Sequence, residues 1–315
     1  MLQKDKELIL IKGAGDLASG VAYRLYRAGF DLVMVEKENP TVVRRGVSFA
    51  QAAFDGKTEV EGITCEKTEL DPQEISAALD RGVIPLLIDP DLNSLKSLKP
   101  TVLIEATLSK KNTGISKDMA EKVIALGPGY RAGIDVHAVI ETARGHYLGR
   151  TIYQGEAQEN TGIPGNIAGY TSERVIRAPG KGRFKTNKQI GDEIETDEII
   201  GYVEPVEMAG STRSAESKES IGSTGPGSLE PTGSTESAKP SAPEKAPGSD
   251  LVPIPVKTEI GGVIRGLLHD GLKVKEGMKL GDIDPRAKVD HCYTISDKAL
   301  AIAGGVLEAV LAPRI

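Results

Sequence analysis

The stretch Leu8-Ile9-Leu10-Ile11-Lys12-Gly13-Ala14-Gly15-Asp16-Leu17-Ala18 decides the fold. Four consecutive apolar residues make the buried strand of a parallel sheet, and Gly13 permits the tight turn after it. Gly15 lets backbone come close to a phosphate, toward which the following helix turns its free N–H groups. Leu17, Val21, Leu25 and Ala28 recur at helical spacing, Gly29 closes the helix, and Leu32-Val33-Met34-Val35 forms a second strand ended by Glu36. Glu36 falls where a dinucleotide-binding fold keeps its ribose-binding acid, and Ala18 stands at the third glycine position, a replacement the fingerprint tolerates. Strands, turn, helix and acid in one register favour nucleotide-type binding over a plain turn between packed elements. Gly13, Gly15, Asp16, Ala18 and Glu36 are therefore candidate binding residues.

Working outward, Arg44-Arg45 lies on a loop after Asn39-Pro40, suited either to a phosphate or carboxylate or to a solvated pair. Val60 to Cys65 reads as a short strand, Pro72 to Arg81 as a helix capped by Asp71, Ile84 to Ile88 and Val102 to Ala106 as strands, and Lys117 to Lys122 as a short helix. In an open α/β sheet ligands lie beyond the carboxyl ends of the strands, where Ser109-Lys110-Lys111-Asn112 falls. Lys110 and Lys111 are candidates for an anionic group, with two solvated lysines at a loop tip as the alternative. Gly127-Pro128-Gly129 begins a shaped loop. Asp135 to Thr142, Arg144-Gly145-His146 and Arg150 to Tyr153 then read as a hairpin. As a strand, the first of these segments sets His137 and Glu141 about 13 Å apart; as a helix it would make them neighbours able to act as a pair or as metal ligands. The β-branched pattern favours the strand.

From Val175 the texture changes to short strands separated by glycines. Gly182, Gly191, Gly201, Val203 and Pro205 repeat as Gly262, Gly271, Gly281, Ile283 and Pro285, a fixed offset of 80 residues. The pattern resembles the two halves of a biotinyl/lipoyl-type barrel-sandwich. Its modified lysine is missing: the position falls near Leu251 and no Met-Lys-Met sequence exists, so covalent biotin or lipoate is not expected. Residues 209–250, rich in Ser, Gly, Pro, Thr, Glu and Lys, cannot offset an ordering cost of roughly 1–2 kcal/mol per residue and are expected to be disordered. Ala299, Leu300, Ala303, Leu307, Val310 and Leu311 mark a final helix capped by Ser296, in which Gly304-Gly305 implies close packing. The expected organisation is a Rossmann-like α/β domain with a parallel sheet (1–172), a split all-β barrel-sandwich (173–208 and 251–289) around the insert, and a C-terminal helical segment (290–315).

The totals narrow the functions. With 315 residues, two compact domains are expected. A net charge of −6 without a Lys/Arg stripe argues against a nucleic-acid partner. Aromatics at 4% with no Trp make stacking on bases a poor expectation. Two cysteines, Cys65 and Cys292, with no CxxC pair suggest neither a disulfide framework nor a structural zinc site. His291-Cys292 forms a weak redox or metal pair, since adjacent strand residues face opposite ways. No signal peptide or membrane-spanning run is seen, so a cytoplasmic protein with no membrane partner is expected.

Several motifs together carry a resemblance over nearly the whole chain: Gly13-Ala14-Gly15-Asp16-Leu17-Ala18, Arg44-Arg45, Lys110-Lys111-Asn112, Leu126-Gly127-Pro128-Gly129, Asp135 to Thr142, Arg144-Gly145-His146, Asn160-Thr161-Gly162 and Asp284-Pro285-Arg286. They resemble the YqeB-type accessory proteins of the selenium-dependent molybdenum hydroxylase system, with Lys12 where arginine is expected and the long insert as departures. The resemblance implies a cytosolic factor that matures a molybdenum enzyme, with a molybdenum hydroxylase or other maturation proteins as partners and a phosphorylated small molecule as ligand. That ligand is a nucleotide (NAD-like) or a molybdopterin-type cofactor. Lys110, Lys111, His137, Glu141, Arg144 and His146 stand as candidate catalytic residues, and Asn112, Gly127 and Gly129 join the glycine turn as candidate cofactor-binding residues. An NAD-dependent oxidoreductase and a non-enzymatic scaffold that docks the hydroxylase remain alternatives.

Overall fold

The computed structural model describes residues 7–205 and 252–313. The insert expected to be disordered, 209–250, lies outside the described residues, as do residues 1–6. In the N-terminal domain the apolar runs become β1 (Leu8–Lys12), β2 (Asp31–Glu36), β3 (Lys57–Val60), β4 (Ile63–Lys67), β5 (Ile84–Ile88), β6 (Val102–Glu105), β7 (Lys122–Leu126), β8 (Arg131–Ala132), β9 (Ala138–Ile140), β10 (Thr151–Ile152) and β11 (Gly155–Glu156). Nine of them form one sheet in the order β10-β9-β7-β6-β1-β2-β5-β4-β3. From β9 to β4 every neighbouring pair is parallel, and only the edge strands β10 and β3 run antiparallel. The α/β domain with a parallel sheet is thus present. Two local expectations change. Val60 to Cys65 is not one strand but the turn of the β3–β4 hairpin, with Glu61 and Gly62 both left-handed (φ 46° and 80°), the geometry of a two-residue hairpin loop. Lys117 to Lys122 is a single 3₁₀ turn, Lys117–Met119, because Lys122 already pairs in β7.

The helices are α1 (Asp16–Arg27), α2 (Ala52–Asp55), α3 (Pro72–Asp80), α4 (Leu95–Leu98), α5 (Asp290–Tyr293) and α6 (Asp297–Leu311). Asp71 caps α3 by accepting from Gln73 N, and Ser296 caps α6 by accepting from Ala299 N. On the sheet face covered by α1, the neighbouring place is filled from the far end of the chain by α6. Gly20 of α1 meets α6 so closely that a Cβ there would lie 2.7 Å from Ala299 Cβ. Ile302, Ala303 and Val306 are fully buried in the same core as Ile9, Ile11, Leu25 and Met34. Burying each larger side chain stabilises by roughly 1.5–3 kcal/mol, whereas an isolated helix of this length is marginal in water. Docking is therefore what makes α6 a helix. Lys122, at the start of β7, donates to the last carbonyls of α6, Val310 O and Ala312 O, so α6 runs parallel to α1 and both helices begin at the carboxyl edge of the sheet.

The second domain comprises β12 (Val175–Arg177), β13 (Gly182–Lys185), β14 (Glu193–Ile194), β15 (Ile199–Glu204), β16 (Ile254–Lys257), β17 (Gly262–Leu267), β18 (Lys273–Val274) and β19 (Lys279–Asp284). The repeat is real: exchanging β12 with β16, β13 with β17, β14 with β18 and β15 with β19 turns the sheet order β12-β19-β17-β14 into the other, β16-β15-β13-β18. Each sheet takes strands from both halves around a core of Phe184, Ile200, Val203, Ile264, Leu267 and Ile283. The expected biotinyl/lipoyl-type barrel-sandwich is corrected. The strands form two separate four-stranded antiparallel sheets, and no ladder among the described residues joins them into a barrel. The glycine register that suggested that family reports the duplication and not closure. The edge strands β14 and β18 have two residues each, too short to carry a ladder around a corner.

The packing of α6 yields a matched pair of substitutions. A Cβ on Gly305 would fall 2.1 Å from Gly149 O, whereas Gly304 has nothing within 4 Å. Gly305→Ala is expected to destabilise by about 1–3 kcal/mol. Gly304→Ala is expected to be stabilising by roughly 0.5–1 kcal/mol through helix propensity, both read from urea-unfolding midpoints.

Candidate functional site

Four acids stand at the carboxyl ends of the parallel strands, and each pins a loop. Glu36 ends β2 and accepts from Ala14 N (3.0 Å) and Lys37 N (2.9 Å). Asp89 follows β5 and accepts from Asn93 N and Ser94 N. Glu105 ends β6, is buried, and accepts from Thr107 N and Thr113 Oγ1, with Lys12 Nζ 3.6 Å away. Glu141 follows β9, is buried, and accepts from Ala143 N (2.7 Å) and Gln158 N (2.8 Å). Buried carboxylates need such donors. Their shared task is to fix the loops over the sheet edge, so Glu36 folds back onto the glycine turn instead of reaching outward, and Glu141 is a positioning group.

The turn itself is rigid. Gly13 is left-handed (φ +96°), and a Cβ there would lie 3.2 Å from the backbone of Ala106 and Thr107. Ala14 O accepts from Ser48 Oγ, Ala50 N and Ser19 Oγ. Gly15 is the N-cap of α1 with no side-chain capping bond, and a Cβ there would meet only Val42 at 3.7 Å. The first N–H groups of α1 are thus left for a ligand or solvent. Ala18 is buried and belongs to the core. Gly127 and Gly129 are glycines because loops press on them: a Cβ would lie 2.6 Å from Thr142 Oγ1 in the first case and 2.5 Å from Lys111 N in the second. Asn112 spends its carboxamide on the loop, accepting from Gly114 N and Ile115 N. Lys110 and Lys111 sit at an exposed loop tip, Lys110 with φ +63°.

The histidines fall away from this edge. His137 precedes β9 and accepts from Val123 N at Nδ1 (3.0 Å), which places it at the amino edge, opposite the glycine turn. Burial and then Lys117 lower its pKa, in keeping with a neutral ring that holds a backbone N–H. His146 is exposed with its ring edge-on to Tyr147. Arg44 and Arg45 fasten the two domains: Arg44 Nη2 donates to His291 O (3.2 Å) and Arg45 Nε to Leu267 O (2.7 Å). Cys65 and Cys292 are both buried, and burial raises both thiol pKa values, so neither presents a thiolate. His291 and Cys292 lie on α5 and not on a strand. Among the described residues no group of three or more His, Cys, Asp or Glu side chains could hold a metal ion. No helix among them is long and apolar enough to cross a membrane.

What the sequence did not reveal is the basic side of the cleft. Lys298, the second residue of α6, is half-buried and makes no ion pair among the described residues. Burial and then Arg144 lower its pKa, while Asp16, Glu141 and Asp297 act in the opposite sense. It therefore lies beside the start of α1 and the loop after β9. Arg144 pairs with Asp297 at 3.4 Å. From the second domain, Arg265 and Arg286 approach the same aspartate electrostatically and share the fully buried Asp284, at 3.9 and 2.6 Å. Only a Ser cap followed by a helical pattern marked this place, and nothing in the sequence links residue 298 to residue 16. On the other face of the sheet a cavity of about 450 Å³ opens beside Lys12, lined by Leu92, Leu95, Ile115 and Met119.

The fold and this edge describe an α/β protein with an appended duplicated β domain and basic side chains gathered near the starts of α1 and α6. Over 305 residues, 97% of its length, the chain is 43% identical to the Uncharacterized protein YqeB of Escherichia coli K12, and this likeness supports a YqeB-type protein. The chain spans 47% of that relative's own length. No protein-family model matches it. Among solved structures it aligns with an aspartoacylase family protein from Mesorhizobium loti (TM-score 0.24, 9% identity, 89% of this chain and 85% of that one). It also aligns with a succinylglutamate desuccinylase/aspartoacylase from Rhodobacter sphaeroides (0.22, 10%, 82% and 59%) and with the ectoine utilization protein EutE from Ruegeria pomeroyi (0.25, 10%, 88% and 85%). None of the three is named as a biotinyl or lipoyl protein, and scores this low carry no argument about chemistry.

The Asp284 pair sets a pH window. Burial pushes its carboxyl up, but hydrogen bonds from the Arg286 side chain and N–H and the charges of Arg286 and Arg265 outweigh this and hold it at about 2. A folded value below the unfolded one stabilises above about pH 4, and that contribution, on the order of 2 kcal/mol, is lost as pH falls toward 2. Urea unfolding between pH 5 and 2 is expected to show a steeper loss for the natural protein than for Asp284→Asn.

Proposed function

We propose that the protein is a maturation factor for a selenium-dependent molybdenum hydroxylase. In this reading its α/β domain binds a phosphate-bearing ligand, a nucleotide or the phosphorylated molybdenum cofactor, at the carboxyl edge of the sheet. The hydroxylase link rests on the motif resemblance alone, the likeness to YqeB supports a YqeB-type protein, and the cytosolic setting belongs to the same reading. The observation that carries the ligand class is the uncapped start of α1 behind Gly15, side by side with the start of α6 and its half-buried Lys298. The uncapped start of α1, the positive end of the capped helix α6 and a lysine with no paired carboxylate form a focus for a phosphoryl group. Asp16, Glu141 and Arg144 border it, and the cavity beside Lys12 is of a size to take the ring system of such a ligand. The duplicated β domain is left to dock the client enzyme.

The oxidoreductase alternative loses its proton-handling histidines to the amino edge and the surface, and its ribose acid to Ala14 N. The test starts from the purified full chain, with mass spectrometry of what it retains and calorimetry with GDP, NAD and inorganic phosphate. Gly15→Val, at a position whose backbone is extended and whose Cβ direction is open, is expected to weaken binding at least tenfold without unfolding the protein. Unchanged binding in that variant would overturn the α1 turn as the binding site, and no small-molecule binding beside capture of a hydroxylase subunit would leave the scaffold reading instead.

A further inference from the structure

Outside the α1 turn, a group of charged side chains lies where the second domain meets the start of α6. Arg265 is almost buried, yet of its guanidinium only Nε is engaged, donating to His291 O at 3.3 Å. Its two terminal nitrogens make no hydrogen bond among the described residues. Arg286 pairs with Asp284 and remains partly exposed. Behind them the buried Arg44 has an unpartnered Nε, as does the buried Arg174 beside Asp282. Burial and then the charge of Arg44 lower the pKa of Arg265, as burial and then Arg144 do for Lys298, with carboxylates acting in the opposite sense in both cases. In front of this group the carboxylate reached by Arg144, and lying within the field of Arg265, Arg286 and Lys298, is Asp297, which is 79% exposed and so free to be displaced.

We propose that Arg265 and Arg286 of the second domain complete the cleft as a second anion subsite, so that the ligand is a polyphosphate-type molecule held across both domains. One phosphoryl group rests on the helix starts with Lys298, and the next displaces Asp297 from Arg144 and meets Arg265 and Arg286. The two terminal nitrogens of Arg265 suit this because a guanidinium fork engages phosphoryl oxygens in pairs, and Arg286, whose Nε and Nη2 hold Asp284, adds its charge and Nη1. The second domain is on this account part of the binding site as well as a docking element. The inference rests on the reading of the α1 edge as a phosphate site.

Calorimetric titration of the full chain with inorganic phosphate, pyrophosphate and tripolyphosphate at fixed ionic strength separates the two claims. Affinity is expected to rise at least tenfold along the series. Arg265→Gln and Arg286→Gln should each flatten that rise, costing tripolyphosphate at least ten times more than phosphate. Because Arg286 is partly exposed, its variant serves where Arg265→Gln fails to fold. Asp297→Asn should tighten tripolyphosphate at least threefold, since it removes the competing carboxylate. If the arginine variants leave the rise intact while Gly15→Val abolishes phosphate binding, the second subsite is overturned and the first stands. If none of the three anions binds, the phosphate reading fails and this inference with it.

Discussion

The seating of α6 beside α1 is the contact on which the rest depends. A parallel sheet needs both faces covered, and the connections after β6 and β7, with Ile115, Tyr130 and Val136, pack on the face opposite α1. The last helix of the chain covers β7, β9 and β10 on the α1 face. Small residues make it possible: Gly20 against Ala299, and Gly305 against Gly149, bring backbones closer than any side chain would allow. Because the docking is parallel, the positive ends of two helices fall at the same edge of the sheet. The second domain, inserted between the first sheet and its final helix in the chain, is thereby held against that edge.

Charge is arranged to suit. Along the edge, carboxylates at strand ends are consumed by loop N–H groups, which fix the loops and satisfy the acids' acceptor capacity. The cations come from elsewhere, Lys298 from α6 and Arg265 and Arg286 from the duplicated domain. Their own carboxylates, Asp284 and Asp297, differ in kind: one is fully buried and permanently paired, the other exposed and replaceable. Under the proposed reading, cations contributed by both domains at this edge would favour an anion that reaches both.

Local chemistry was legible in the sequence wherever it depended on neighbours in the chain. The glycine turn, the strand ended by Glu36, the caps at Asp71 and Ser296, the hairpin after Gly129 and the 80-residue duplication are all present. The close packing implied by Gly304-Gly305 is carried by Gly305 alone. What failed was long-range: nothing in residues 290–315 tells which sheet the helix will cover, so Lys298 had no claim beside Asp16. Nor does a glycine register tell a closed barrel from two sheets. His137 and Glu141 belong to one strand segment in the sequence, and its direction sends them to opposite edges of the sheet, one to hold Val123 N and the other to pin the loop at the carboxyl edge.

The most direct test is amide hydrogen exchange on the full chain, with and without saturating tripolyphosphate. The account expects added protection in two places distant in sequence, the first turn of α1 around Gly15–Ala18 and the start of α6 around Asp297–Ala299. Exchange that is unchanged at both helix starts while the anion is bound, or protection confined to the Lys110–Asn112 loop, would contradict it.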